Sequence, residues 1–123
     1  MTYTYLACPY SHPDKDIMER RFRTVTEIAG ELLKKGEIVF SPITHFHPIA
    51  MACALPTGWE FWKRIDEVYI GLCEKLRVLH LPGWETSTGV LAEIKIAKTL
   101  GKPIVSMLVT QGDLERWGLR ESE

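Results

Sequence analysis

The stretch Leu79 to Ile104, LHLPGWETSTGVLAEIKIAKTLGKPI, decides the fold. An apolar strand ends at Leu81 and gives way to a turn at Pro82-Gly83. The small hydroxylated run Thr86-Ser87-Thr88-Gly89 then opens a helix that Gly101 stops, and Ile104 begins another strand. Unpaired amides and the dipole at a helix N-terminus make a ready anion site. Small residues let a ligand come close to the backbone. A strand, a Gly/Ser turn and a helix in this order build ligand sites at the carboxyl ends of strands in open α/β sheets.

Within that helix Glu93 has no local partner. A capping box needs Ser or Thr three residues earlier, where Val90 stands, and the i+4 position is Ala97 rather than a base. With Ser87 as N-cap, Glu93 lies about one and a half turns inside the helix. A helical wheel aligns it with Gly89, Ile96 and Leu100, at the border of an apolar stripe of Val90, Ile94 and Ala97. A carboxylate at that border is a candidate functional group.

Working outward, Tyr3 to Cys8 reads as a short buried strand closed by Pro9. Pro13 with Asp14 and Asp16 starts a helix whose Met18, Phe22, Val25, Ala29 and Leu32 recur at helical spacing, and Gly36 ends it. Ile38 to Phe40 is a second strand. Residues 44–58 are apolar but poorly periodic, which suggests a loop over a site or against a partner chain. Trp59 to Cys73 is helical, with Phe61, Ile65, Val68 and Leu72 on one stripe and Asp66 near its edge. Arg77 to Leu81 and Ile104 to Val109 supply strands three and four. The polar tail from Gln111 holds a short helix with Leu114 and Trp117.

Strands alternating with helices imply right-handed crossovers and a parallel sheet. The expected fold is α/β, an open doubly wound parallel sheet in three α/β/α layers, flavodoxin-like or Rossmann-like, with strand order 2-1-3-4. The crevice then falls between strands 1 and 3. It joins Cys8, Pro9, Tyr10 and Ser11 to the Pro82–Gly89 turn, with Asp66 arriving from the preceding helix.

The 123 residues suffice for one domain spanning 1–123. Fifteen basic and sixteen acidic side chains leave a net charge of −1. That balance gives no support for nucleic-acid binding or for attraction to an anionic membrane. No apolar run approaches the roughly 20 residues that span a bilayer. The start, MTYTYLACPY, lacks the features of a signal peptide. Cys8, Cys53 and Cys73 are odd in number and unpaired in spacing, as expected of reduced thiols in a cytoplasmic protein.

Other chemistry-bearing residues carry less. His45-x-His47 with Cys53 lacks the ligand set of a metal site and reads as structural or substrate-loop histidine, so neither metal nor cofactor is expected. Cys8 behaves as a small buried hydrophobe. Trp59, Trp62 and Trp84 either stack on a base or pack in core and interface.

Taken together, Tyr5-Leu6-Ala7-Cys8-Pro9, an aspartate in the helix before strand 3, Ser87-x-Gly89-x-x-x-Glu93 with Ala97, and Gly101-Lys102-Pro103 resemble the nucleoside 2-deoxyribosyltransferase family. That family includes the deoxynucleoside 5′-monophosphate N-glycosidases, and the form LPGWExSxG resembles a partly phage-borne branch of it. The resemblance implies a flavodoxin-like fold and cleavage of an N-glycosidic bond, by hydrolysis or base transfer. Glu93 matches the nucleophile that forms a glycosyl-enzyme ester. Asp66 matches the residue that holds or protonates the base, and Tyr5 the phenol that orients the glutamate. Ser87 stands where the base-exchanging enzymes carry aspartate and the monophosphate hydrolases serine. A hydroxyl beside helix amides suits a 5′-phosphate that a carboxylate would repel. Ser11, His12 and Arg20 or Arg21 are further phosphate candidates. Pro9-Tyr10 replaces the family's usual glycine after strand 1, and the loop before Ser87 is longer, with Trp84-Glu85. The family's subunit-bordering sites, the apolar 46–55 stretch and Trp117 suggest a homo-oligomer. A nucleotide sensor that binds without turnover is the alternative, and a pure scaffold the third reading.

Overall fold

Strand β1 (Thr4–Ala7) is buried along its whole length, because it lies inside the sheet with helices over both faces. A computed structural model describes residues 2–119, and residues 120–123 of the tail lie outside them. In chain order β1 is followed by α1 (Lys15–Lys34), β2 (Val39–Phe40), α2 (Pro42–Cys53) and α3 (Trp59–Leu72). Then come β3 (Lys75–Leu79), a single 3₁₀ turn (Trp84–Thr86), α4 (Thr88–Thr99), β4 (Ile104–Met107) and α5 (Gln111–Trp117).

The four strands are parallel in the order β2-β1-β3-β4, as the alternation of elements requires. Thr4 pairs with Val39 on one side and Lys75 on the other, and Leu76 pairs with Ile104. The two-residue period of β1 assigns its side chains to two cores. Leu6 and the following Cys8 pack with Val25, Ile28, Ala29 and Leu32 of α1 and Leu114 of α5. Tyr5 and Ala7 pack on the other face with Ile70 of α3 and Val90 and Ala97 of α4. The result is a doubly wound three-layer sheet.

Four local readings change. Residues 44–58 were expected as a loop, but Pro42–Cys53 is helix α2. Ser41 caps it by accepting from the Thr44 amide at 3.1 Å, and Pro42 occupies the first turn, where its missing N–H costs nothing. Pro48 and two histidines hide its period. In α3 the apolar stripe is the outer one. Phe61, Val68 and Leu72 are exposed, while Asp66 and Ile70 are buried, so Asp66 belongs to the inward face rather than its edge. In α4, Glu93 stands in the buried row with Val90 and Ala97, not beside it. Strand β3 begins and ends two residues earlier than the expected Arg77 to Leu81, at Lys75 and Leu79. Its polar residues Lys75 and Arg77 pair with Glu37, at 3.6 and 2.7 Å, and so can enter the ladder.

Candidate functional site

Above the carboxyl ends of β1 and β3 opens a cleft of about 480 Å³. Its floor is built by chain reversals: β1 ends into Cys8–Ser11, and β3 ends into the turn that leads to α4. Gly83 makes that turn possible, at φ +92°, where a side chain would be strained. Ser87 closes it as N-cap of α4, its hydroxyl accepting from the Val90 amide at 3.2 Å. Ser87, Thr88 and Gly89 all line the cleft. A Cβ on Gly89 would meet only Ser87 Oγ, at 4.0 Å. Nothing in the protein's own packing therefore calls for glycine there, and the bare backbone leaves room for a ligand against the helix start.

Glu93 reaches the cleft from one turn further along α4, although only 6% of it is exposed. Its Oε2 accepts a hydrogen bond from the Tyr5 hydroxyl. Tyr5 is wholly buried and sits behind Glu93 rather than on the cleft wall. Asp66 of α3 completes the group, 8% exposed and lining the cleft. Burial raises the Asp66 carboxyl to about 6, against the opposing pull of its hydrogen bonds to Tyr5 and Glu93. Burial, reinforced by the charge of Asp66, holds Glu93 well above the ordinary carboxylate range. Two carboxyls forced together out of water retain a proton between them. Burial, with Glu93 and Asp66 beside it, likewise raises the Tyr5 phenol, so it remains a donor. Cys8 lines the cleft too, but burial raises its thiol far out of the nucleophilic range.

The opposite end and walls differ in character. Phe46 of α2 and Trp59 and Trp62 of α3 line the cleft as an aromatic wall, with the Phe46 and Trp62 rings 5.2 Å apart. Pro9, Tyr10, Ser11 and His12 line the side beneath α1. Ser11 donates to Thr57 O at 2.9 Å, and His12 Nδ1 accepts from the Asp14 amide at 2.9 Å. Of the two candidate arginines the cleft takes Arg21. Its guanidinium donates to the carbonyls of Tyr10, Ser11 and Pro82, tying the β1 and β3 loops together. Arg20 turns away to Asp16 and Gly118 O, each at 2.8 Å.

Two expected substrate contacts are displaced. His45 is exposed, its ring against Phe40 and Phe46, and does not line the cleft. Residues two apart on a helix diverge by about 200°, so placing His47 inward sends His45 outward. Trp84 also lies off the cleft, stacked on His80 at 3.9 Å and packed on the α3/α4 side of the sheet. His47 is the residue that sequence reasoning underrated, because α2 did not register as a helix. Among the described residues no group of three or more His, Cys, Asp or Glu is placed to hold a metal ion. Among the same residues no helix is long and apolar enough to cross a membrane.

Two neighbouring carboxyls lining one cleft with a phenol behind them, an open helix N-terminus and an aromatic wall can polarise, protonate and attack a small polar ligand. No curated protein matches the chain. The model of the domain of unknown function DUF1937 matches residues 2–109, and the chain belongs to that family.

Proposed function

We propose that the cleft cleaves the N-glycosidic bond of a (deoxy)nucleoside 5′-monophosphate or a related nucleotide, by hydrolysis or base transfer, with Glu93 as nucleophile. The observation that carries this is the buried pairing of Glu93 with Asp66 under the Tyr5 hydroxyl, open to one cleft. The resemblance of Ser87-x-Gly89-x-x-x-Glu93 to the deoxyribosyltransferase motif supports it independently.

In this reading the phosphate sits at the start of α4, against Ser87, Thr88 and Gly89. The base lies along the aromatic wall. The pair of carboxyls holds one proton when substrate arrives. That proton rests on Glu93, the carboxyl held higher, and moves through Asp66 to the departing base as the bond between C1′ and the base nitrogen breaks. Glu93, left ionised, forms an ester bond to C1′ with its Oε atom. Water then attacks C1′, its proton goes to Asp66, and the Glu93 ester opens. The pair regains one proton, and free base and sugar phosphate leave. With a second base in place of water, the same steps give transfer. Tyr5 keeps the Glu93 carboxylate oriented throughout.

Incubation with the four 2′-deoxynucleoside 5′-monophosphates and chromatography for free base test this reading. Base release that disappears in Glu93→Ala supports it. Saturable binding without base release, unchanged in Glu93→Ala, would make the protein a nucleotide sensor instead. Self-association belongs to the same proposal: Phe61, Val68 and Leu72 of α3 and Leu91 and Leu100 of α4 leave an apolar surface on one side of the molecule. So does a reducing cytoplasmic setting, with Cys8, Cys53 and Cys73 all unpaired.

A further inference from the structure

A second hydrogen-bonded chain faces the cleft away from the carboxyl pair. His47 of α2 is 6% exposed and its ring packs on Phe22 of α1, with ring centres 4.3 Å apart. Its Nε2 lies 2.8 Å from Glu19 Oε2 of α1, and its Nδ1 is bonded to the Tyr10 hydroxyl. Arg23 Nε stands 3.8 Å from the other Glu19 oxygen, on the side away from the imidazole. Three elements therefore converge on a single ring, and both Tyr10 and His47 line the cleft.

In the neutral form of the ring these partners assign the protons. A carboxylate accepts and cannot donate, so Nε2 carries the hydrogen. In a neutral ring Nδ1 is then an acceptor, and the Tyr10 O–H must point at it. The phenol's own proton is thereby occupied within the protein, and the lone pairs of its oxygen are left for the cleft. Burial, with Glu19 nearby, raises the Tyr10 phenol and keeps that oxygen protonated. A group in this state welcomes a donor and offers nothing to a phosphate.

We infer that Tyr10 is a specificity-determining contact whose oxygen, with its hydrogen committed to His47, selects a ligand hydroxyl or amine donor, while His47 and Glu19 act as its positioning residues. The ligand's identity as a nucleotide rests on the proposed function; the hydrogen-bond chain does not. The cleft then recognises its ligand at two chemically opposite points. The α4 N-terminus offers donors to an anion, and Tyr10 offers an acceptor to a sugar hydroxyl or an amino group of the base.

The test combines tautomer and binding measurements on the full chain. Long-range ¹H–¹⁵N correlation of the His47 ring should show a neutral ring protonated on Nε2, with its Nδ1 shift altered in Tyr10→Phe. Calorimetric titration uses two probe sets, the four 2′-deoxynucleoside 5′-monophosphates and the corresponding uncharged nucleosides. Tyr10→Phe should weaken both sets by roughly tenfold, with a lowered thermal midpoint from the unpartnered His47 Nδ1 but a chain still folded at the titration temperature. His47→Leu should reproduce that loss, and His47→Asn, which keeps an acceptor near Nδ1, should recover much of it; a packing role alone would give no such recovery. Unchanged affinity in Tyr10→Phe, or a ring protonated on Nδ1, overturns the assignment while leaving the proposed reaction standing. If nucleosides bind as tightly as monophosphates, the phosphate reading falls, yet a Tyr10→Phe loss on nucleosides still upholds the Tyr10 role. Wild-type protein that binds neither set removes both.

Discussion

The Tyr5 hydroxyl donates a hydrogen bond to the Glu93 carboxyl across 88 residues of chain, joining the centre of the sheet to the helix that closes the cleft. Tyr5 is wholly buried, so its ring is held by the α3/α4 core rather than by solvent or ligand. Such a donor cannot follow a moving partner, and it therefore fixes where the carboxylate points. Asp66 faces the same two groups from α3.

Glu93→Gln keeps the size of the side chain and removes the nucleophile. Base release should fall by at least about 10³-fold, while the affinity for a monophosphate changes little. Single-turnover kinetics beside calorimetric binding check this. A variant that retains base release within tenfold of wild type would exclude a glutamyl ester.

Tyr5→Phe leaves the Glu93 carboxyl without the buried donor behind it. Turnover should drop by about 10- to 100-fold with KM nearly unchanged, because orientation and not binding is lost. A measured rise in KM at constant kcat would assign Tyr5 to binding instead.

Asp66→Asn should stabilise the protein. Burial raises this carboxyl from its ordinary 3.8 to about 6 in the folded state. Between those values the folded chain keeps a proton that the unfolded chain has lost, so stability falls as pH rises through that window. Above pH 6 the native aspartate therefore carries a penalty of up to about 3 kcal/mol, which the amide does not share. Thermal melts near pH 7.5 should favour Asp66→Asn, and the advantage should vanish near pH 4. The same variant should release base far more slowly, as it cannot supply the proton.

Ser87 offers a substitution that separates cap from ligand. Ser87→Asp retains an N-cap, so stability should change by less than about 1 kcal/mol. Its charge at the helix start should raise KM for monophosphates by more than about tenfold and leave uncharged nucleosides unaffected. Parallel kinetics with both probes decide it.

Val68→Glu with Leu72→Glu places two charges on the exposed row of α3. Both side chains already face outward, so the thermal midpoint should hold while light scattering shows a smaller species than wild type. Equal mass for both proteins would mean that this row is not the contact surface.

Much of this architecture was legible in the chain itself. Alternation of apolar runs with 3.6-period segments dictated a parallel sheet ordered 2-1-3-4, since crossover handedness leaves few alternatives. Ser87 as a cap, and Glu93 as a carboxylate without a local partner, could be read from their neighbours in α4 because capping and i,i+4 pairing are short-range. What the sequence could not settle were directions set by distant contacts. Helix α3 shows its most regular apolar row to solvent, because Asp66 and Ile70 face the neighbouring α4 and the sheet. Helix α2 went unread because its prolines and histidines mask the period. Its register alone decides that His47 meets Tyr10 and Glu19 while His45 turns out. Local pattern thus determined which elements form and in what order. Which side chains share a cleft is decided only when elements far apart in the chain pack together, since a side chain's direction depends on the neighbour that excludes water from it.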